Sequence, residues 1–188
     1  DEVLNVFRAA GALLEGHFLY ASGRHGRQFL QAARVLQYPA HTETLCRAMA
    51  EAHAAKSIDL VVGPATGGII LAYETARHLD CRAAFTEKDG TGGMALKRGF
   101  ALKPGTRVLV VEDIITTGGS VQKTIDHLHA RGAQVVGVSV LIDRSAGEAK
   151  FTIPFTPLAT IAMQSWPPDA CDLCAKGEPL IDPDDLLG

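Results

Sequence analysis

One stretch, VLVVEDIITTGGS over Val108–Ser120, constrains this chain more than any other. Its apolar half, VLVV, reads as a buried strand that delivers two adjacent carboxylates, Glu112 and Asp113. Ile114 and Ile115 then lead into a loop of hydroxyls and glycines, TTGGS, which opens a helix. Backbone N–H groups at a helix N-terminus, unshielded because Gly118 and Gly119 lack side chains, suit a phosphate monoester, and Thr116, Thr117 and Ser120 add hydroxyl donors. The pattern is neither GxxxxGK[ST] nor GxGxxG, which disfavours nucleoside triphosphates and dinucleotides. Two carboxylates beside a phosphate cup would repel the phosphate, so they must face something else. Vicinal ribose hydroxyls, or a magnesium ion chelated by them, satisfy both charges at that distance. An acidic strand end followed by an N-cap loop explains Asp113 and one threonine, but not the full run.

The rest of the chain supplies a frame for such a loop. Val3, Phe7, Ala10 and Leu14 fall at helical spacing, which predicts a first helix ending near Glu15 with Gly16 as its stop. The alternation from His17 to Gln31, broken by SGRHG, predicts a hairpin flap. A helix is expected over Thr42–Ala55, with Leu45, Met49 and Ala52 on one face, then a strand over Asp59–Val62 running into GPATGG and a helix over Gly68–Leu79. Cys81–Thr86 reads as a strand, and EKDGTGGMALKRGF after it as a mobile, glycine-rich loop. A strand over Arg107–Val111, a helix over Gly119–Ala130 closed by Gly132, a strand over Gln134–Ile142 and one more over Leu158–Met163 complete the pattern. Apolar strands alternating with helices predict an α/β protein. Its parallel sheet would be covered on both faces, with ligand loops at the carboxyl ends of the strands.

A length of 188 residues with 47% hydrophobic content is enough for one core without disulfide or metal staples. The net charge of −3 comes from 18 basic and 21 acidic residues spread through the chain, so no basic block points to nucleic acid or a membrane surface. No apolar run approaches the roughly 18 residues of a membrane span, and DEVLNVFRAAGALLEG is acidic and amphipathic where a secretory signal would be basic then apolar. A cytoplasmic location is expected. Cys46, Cys81, Cys171 and Cys174 make a poor disulfide framework, in keeping with a reducing compartment. Cys171 and Cys174 form a CxxC pair, but further ligands look scattered. His17 and His25 have no partner at ligand spacing, so the pair reads as a tail turn holding two thiols.

VLVVEDIITTGGS resembles the phosphoribosyl pyrophosphate (PRPP) signature of type I phosphoribosyltransferases. GHFLYASGRHGRQF, GPATGG, the Glu87–Phe100 loop and LIDRSAG follow the order seen in the orotate phosphoribosyltransferase family, so the resemblance covers most of the chain. It implies the type I phosphoribosyltransferase fold: a central, mainly parallel sheet flanked by helices, with an N-terminal hood over about 1–40, a core over about 41–145 and a C-terminal extension over about 146–188. It implies transfer of phosphoribosyl from PRPP to a ring nitrogen of orotate, giving orotidine monophosphate and pyrophosphate for pyrimidine biosynthesis. Mg²⁺ would be carried mainly by PRPP, passing near Asp113.

By the same resemblance, Glu112 and Asp113 hold the ribose hydroxyls and favour a cationic ring, Thr116 to Ser120 anchor the 5′-phosphate, and Ile114 and Ile115 also belong to the PRPP-binding run. Thr66 and Gly67 of GPATGG would meet the pyrophosphate through backbone amides, since this loop lacks the lysine often found in its family counterpart. Lys88 is the expected catalytic cation, with Lys97 and Arg98 as alternatives, on a loop (87–98) that reaches the neighbouring active site of a homodimer. Thr116 and Arg144 would contact orotate, with Asp143 tying Arg144 down. Arg24 or Arg27 would line the base pocket or meet the partner subunit, and Phe29 would cover the base. Two rivals remain at this point. A purine phosphoribosyltransferase shares the ribose-phosphate grip, and a ligand-sensing regulator shares the fold, although no basic stripe here supports DNA binding.

Overall fold

A computed structural model of the chain describes residues 2–20 and 22–186; Asp1, Leu187 and Gly188 at the ends of the expected span, and Ala21 in the expected hairpin turn, lie outside the described residues. The first helix, α1, covers Glu2–Ala9 and stops well before Glu15. Gly11 supplies the reason. At φ +64° it takes the left-handed conformation, the Ala12 amide donates to the Phe7 carbonyl at 2.8 Å, and the Gly11 amide to Arg8 at 3.0 Å. These bonds are a Schellman stop, and they release Leu14 to the next strand.

Strands β1 (Leu13–Leu19) and β2 (His25–Leu30) form the expected antiparallel hairpin. Its register shifts between Glu15 and Phe18. The irregularity breaks the in-out alternation, so the consecutive residues His17 and Phe18 are both buried. Two helices follow: a short α2 (Ala33–Leu36), unforeseen, and α3 (Pro39–Glu51). The latter starts earlier than expected because Pro39 occupies its first turn, where a missing N–H costs nothing. Leu45 and Met49 are buried on it, but Ala52 lies beyond its end and is exposed.

The remaining elements are β3 (Leu60–Pro64), α4 (Gly67–Leu79), β4 (Arg82–Lys88), β5 (Met94–Leu96), β6 (Arg107–Ile115), α5 (Gly119–Ala130), β7 (Gln134–Asp143), β8 (Phe155–Thr160), β9 (Ser165–Trp166) and α6 (Asp172–Ala175). Six strands form one sheet in the order β5-β4-β3-β6-β7-β8, parallel except for β5. The expected α/β architecture is present. Period-two alternation within the central strands divides the core. Val61, Leu109 and Val111 pack with Phe7, Met49, Leu71 and Ala76 on the α1/α3/α4 side, while Leu60, Val62, Val108 and Val110 pack with Val121, Ile125 and Leu128 of α5 on the other.

Two expectations need correcting. The segment after Glu87 is not an irregular loop but a β4–β5 hairpin, pairing Glu87 with Ala95 and Lys88 with Met94. Asp89 organises its turn by accepting the amides of Thr91 at 2.7 Å and Gly93 at 2.9 Å through Oδ1, a local side-chain bond that glycine content conceals. The Leu96 amide then donates to His127 Nε2 of α5 at 3.0 Å. The last sheet strand, β8, lies over Phe155–Thr160, ending before Met163. Beyond it the chain returns to the N-terminal hairpin: β9 pairs with β2, and Ile181 bridges Phe18. No helix among the described residues is long and apolar enough to cross a membrane.

Candidate active site

Parallel strands end on a common edge, and here that edge gathers the loops singled out by sequence. Register aligns Pro64 with Thr86 of β4, Val62 with Val110 of β6, and Ile115 with Asp143 of β7. The GPATGG loop, Lys88, Glu112–Asp113, the TTGGS loop and Arg144 therefore all lie at the carboxyl ends of neighbouring strands.

Strand β6 runs through both carboxylates to Ile115, further than the apolar run VLVV implies. Leaving β6, the chain passes through Thr116–Gly118 and enters α5 at Gly119; Gly118 at the cap offers no side chain, and the Gly119 amide reaches only Thr117 Oγ1, at a long 3.4 Å. The first amides of a helix have no intrahelical acceptor. Here they border a cavity of about 240 Å³ lined by Glu112 and by every residue from Ile114 to Ser120. Lys123 also lines it, a cation that the sequence reading missed. Its only signal was a basic residue one turn into the helix after the glycines.

Glu112 and Asp113 are half-buried, backed by four consecutive fully buried residues, Val108 to Val111. Desolvation, then repulsion from Asp113, pushes the Glu112 carboxyl up to about 8, and burial also raises Asp113. Backbone amides partly offset this: Asp113 N–H donates to Glu112 Oε1 at 3.0 Å, and Ile114 N–H to Asp113 Oδ1 at 2.5 Å. The pair is thus electrostatically unsatisfied as two anions, and hydroxyl donors or a cation would relieve it. A carboxyl whose pKa rises on folding stabilises the fold while protonated, so that contribution is fully present below the unfolded value near 4.5 and is lost as pH climbs through about 8. Glu112→Gln, always neutral, should therefore leave the unliganded protein about 1–3 kcal/mol more stable than wild type at about pH 9, a figure discounted for water in the open cleft. The gain should vanish below about pH 4. Urea midpoints at the two pH values check this, and an equal gain at both would contradict it.

Gly67 opens α4 against this pair. A Cβ built on it would lie 2.1 Å from Asp113 Oδ2 and 2.9 Å from Asp113 Cγ. GPATGG and the carboxylates therefore form one packed unit, with Thr66 just before the helix.

A second cavity, of about 690 Å³, shares Thr116 and Thr117 with the first. Arg144 lines it together with Tyr20, Arg24, Phe29 and Met163. The Arg144 guanidinium carbon sits 4.6 Å from the Tyr20 ring centroid, a cation–π contact. Tyr20 is held in turn by its hydroxyl donating to the Gln28 carbonyl at 2.5 Å. Asp143 does not tie Arg144 down, as was expected. Its buried carboxylate instead accepts the Ser145 amide at 2.8 Å, shaping the loop. Arg24 lines the cavity and donates to Ser165 at 2.8 and 2.6 Å, whereas Arg27 is exposed on β2 and does not line it. Tyr20 was missed because only folding brings a hairpin aromatic under a residue from β7's end.

On the β4–β5 hairpin the alternative cations are engaged. Arg98 makes a two-pronged pair with Glu87 at 2.6 and 2.8 Å, and Lys97 Nζ donates to the Lys88 carbonyl at 2.6 Å. The Lys88 ammonium is exposed, with no partner among the described residues.

The phosphoribosyl transferase domain family matches residues 31–169. Orotate phosphoribosyltransferases of Heliobacterium modesticaldum and Desulforamulus reducens are 48% and 44% identical, each over 97% of this chain and over 96% and 95% of their own lengths. The Thermus thermophilus enzyme is 45% identical over 95% of this chain and 98% of its own length. The chain belongs to the orotate phosphoribosyltransferases. Among solved structures, the orotate phosphoribosyltransferase of Aeropyrum pernix superposes with a TM-score of 0.72 at 26% identity, over 85% of this chain and 93% of that one. The adenine phosphoribosyltransferase of Rhodothermus marinus shares the fold alone, at TM-score 0.66 and 24% identity over 84% of this chain and 99% of that one. Orotate and adenine transferases thus share this scaffold.

Proposed function

We propose that the larger cavity seats orotate while the cup beside it grips PRPP. The observation carrying this reading is that Arg144, aligned by Tyr20, lines a cavity sharing Thr116 and Thr117 with the cup. A guanidinium fork matches an anionic, planar pyrimidine and gains little from a neutral purine. Thr116 adds a hydroxyl toward the base, and Phe29 covers it.

In the reaction a ring nitrogen of orotate forms a bond to C1 of the ribose as the C1–oxygen bond to pyrophosphate breaks. Positive charge grows on the sugar and negative charge on the leaving group. Glu112 and Asp113 accept the ribose hydroxyls and stabilise the cationic ring, a role suited to a pair held in repulsion. Amides and hydroxyls from Ile114 to Ser120 hold the 5′-phosphate, aided by Lys123, while Thr66 and Gly67 present backbone to the pyrophosphate. Lys88 meets charge developing on the leaving group. An all-oxygen, half-buried carboxylate pair fits a hard divalent cation. Magnesium arriving on PRPP would sit near Asp113, where it would neutralise pyrophosphate charge.

The same reading makes the hood, about 1–40, and the extension, about 146–188, accessories to the core of one domain, about 41–145. It also makes the working unit a homodimer in which the 87–98 hairpin serves the neighbouring site. Tyr38, Ile70 and Tyr73, exposed at 47%, 46% and 68%, supply apolar surface for such a contact. Four cysteines, none of them in a disulfide among the described residues, suit a reducing, cytoplasmic setting. Base selectivity in steady-state assays, with Arg144→Ala beside wild type, tests the proposal.

A further inference from the structure

Far apart in sequence, His17, His25, Cys171 and Cys174 converge. Each offers one ligand atom, and all four atoms lie within 4.8 Å of one another. This overturns the expectation that the two histidines lack partners: spacing along the chain cannot show that the tail folds back over the N-terminal hairpin. The irregularity in β1 turns His17 inward, β2 supplies His25, and the turn into α6 supplies Cys171 with Cys174 one helical turn on.

The geometry points to a closed, structural zinc site. His17 Nε2 and His25 Nδ1 are 3.2 Å apart. Cys171 Sγ is 3.5 Å from His17 Nε2, and Cys174 Sγ is 3.7 Å from His17 Nε2 and 3.3 Å from His25 Nδ1. Zinc bond lengths of about 2.05 Å to nitrogen and 2.3 Å to sulfur put the edges of a regular tetrahedron at about 3.3 Å for N–N and about 3.6 Å for N–S. These four of the six ligand separations lie within about 0.3 Å of those edges. With His17 Nδ1 carrying its proton to the Glu178 carbonyl at 2.8 Å, Nε2 is left with one lone pair facing three neighbours. A single hydrogen bond satisfies only one of them, whereas a central cation satisfies all four ligand atoms.

Charge agrees with this assignment. Zn²⁺ displaces two thiol protons, and two thiolates with two neutral imidazoles leave the centre uncharged, which suits ligands of which three are buried. A mixed sulfur and nitrogen tetrahedron selects zinc over the oxygen-loving magnesium of the catalytic cleft. Four protein ligands leave no open position, so the ion holds structure rather than performing chemistry. It would staple the tail to the hairpin that carries Tyr20, Arg24 and Phe29, reinforcing the Ile181 bridge. The site rests on its ligand atoms alone and stands whether or not the base assignment does.

Elemental analysis of the full-length protein purified with zinc should find about one zinc per chain. Chelator-stripped protein titrated with Co²⁺ should show thiolate-to-cobalt charge transfer and the intense visible bands of a tetrahedral complex. Cys174→Ser and Cys171→Ser should weaken metal binding by more than the roughly 10–100-fold typical of losing an outer-shell partner, and should lower the melting temperature. Should the serine variants fail to fold, the cobalt titration of wild type decides. A metal-free protein after zinc supplementation, iron in zinc's place, or cobalt bound without charge-transfer bands would overturn the assignment.

Discussion

Replacing Lys88 by alanine is expected to lower kcat by about 10²–10³-fold while leaving PRPP affinity within about threefold. The asymmetry follows from where Lys88 stands. It closes β4 on the hairpin proposed to serve the neighbouring site, its ammonium is exposed, and no partner among the described residues satisfies it. Arg98 is neutralised by Glu87, and Lys97 is engaged by the Lys88 carbonyl. On the proposed reading, amides and hydroxyls of the two loops hold PRPP in the ground state, so losing one remote cation should cost little binding. As the C1–oxygen bond breaks, negative charge grows on the pyrophosphate, and a cation aimed there acts chiefly on the transition state. Steady-state rates together with equilibrium PRPP titration separate the two effects. An unchanged kcat would hand the role to Lys97 or Arg98.

Gly67→Ala should be nearly as damaging, although it adds only a methyl group. The new Cβ would fall 2.1 Å from Asp113 Oδ2, too close for any real contact, and Asp113 has a short side chain fixed by the Ile114 amide. The carboxylate or the GPATGG loop must move, and a misplacement on the order of 1 Å costs about 10²-fold in rate. We expect kcat/KM for PRPP to fall by about that factor. Overpacking should cost about 1–3 kcal/mol in stability, so the variant remains folded. Kinetics beside a thermal melt check both, and wild-type kinetics in a folded variant would show that the loop and the carboxylates do not act as a unit.

These cases show what the linear sequence can and cannot carry. The VLVV strand, the TTGGS cup and the Gly119–Ala130 helix were legible because strand burial and helix starts are local patterns, and the bounds of that helix match residue for residue. Arg144 was legible because a charged residue after a buried strand has one place to go in an α/β fold. The end of the first helix was misplaced: Gly16 reads as its stop, and only the bonds of Ala12 and Gly11 back to Phe7 and Arg8 show that the chain leaves the helix at Gly11. The 87–98 segment looked irregular because three glycines outweighed a single aspartate, yet the Asp89 carboxylate sets the turn.

Long-range partnerships were illegible. Tyr20 meets Arg144 across more than half the chain, and His17 meets Cys171 across an even wider interval. Neither pairing leaves a mark on local spacing or periodicity. Both lie where the N-terminal hairpin meets the C-terminal half, away from the Glu112–Ser120 loop. The geometry of the Glu112–Ser120 loop was thus readable from one stretch, and that of the cavity lined by Arg144 was only partly so.

The most direct test of the account is base selectivity at saturating Mg²⁺-PRPP. Wild-type enzyme should convert orotate to orotidine monophosphate with release of pyrophosphate and leave adenine, hypoxanthine and uracil unreacted. Arg144→Ala should raise the KM for orotate by about 10–100-fold, the worth of one charge-assisted contact, with PRPP affinity little changed. Turnover of a purine without turnover of orotate would contradict it.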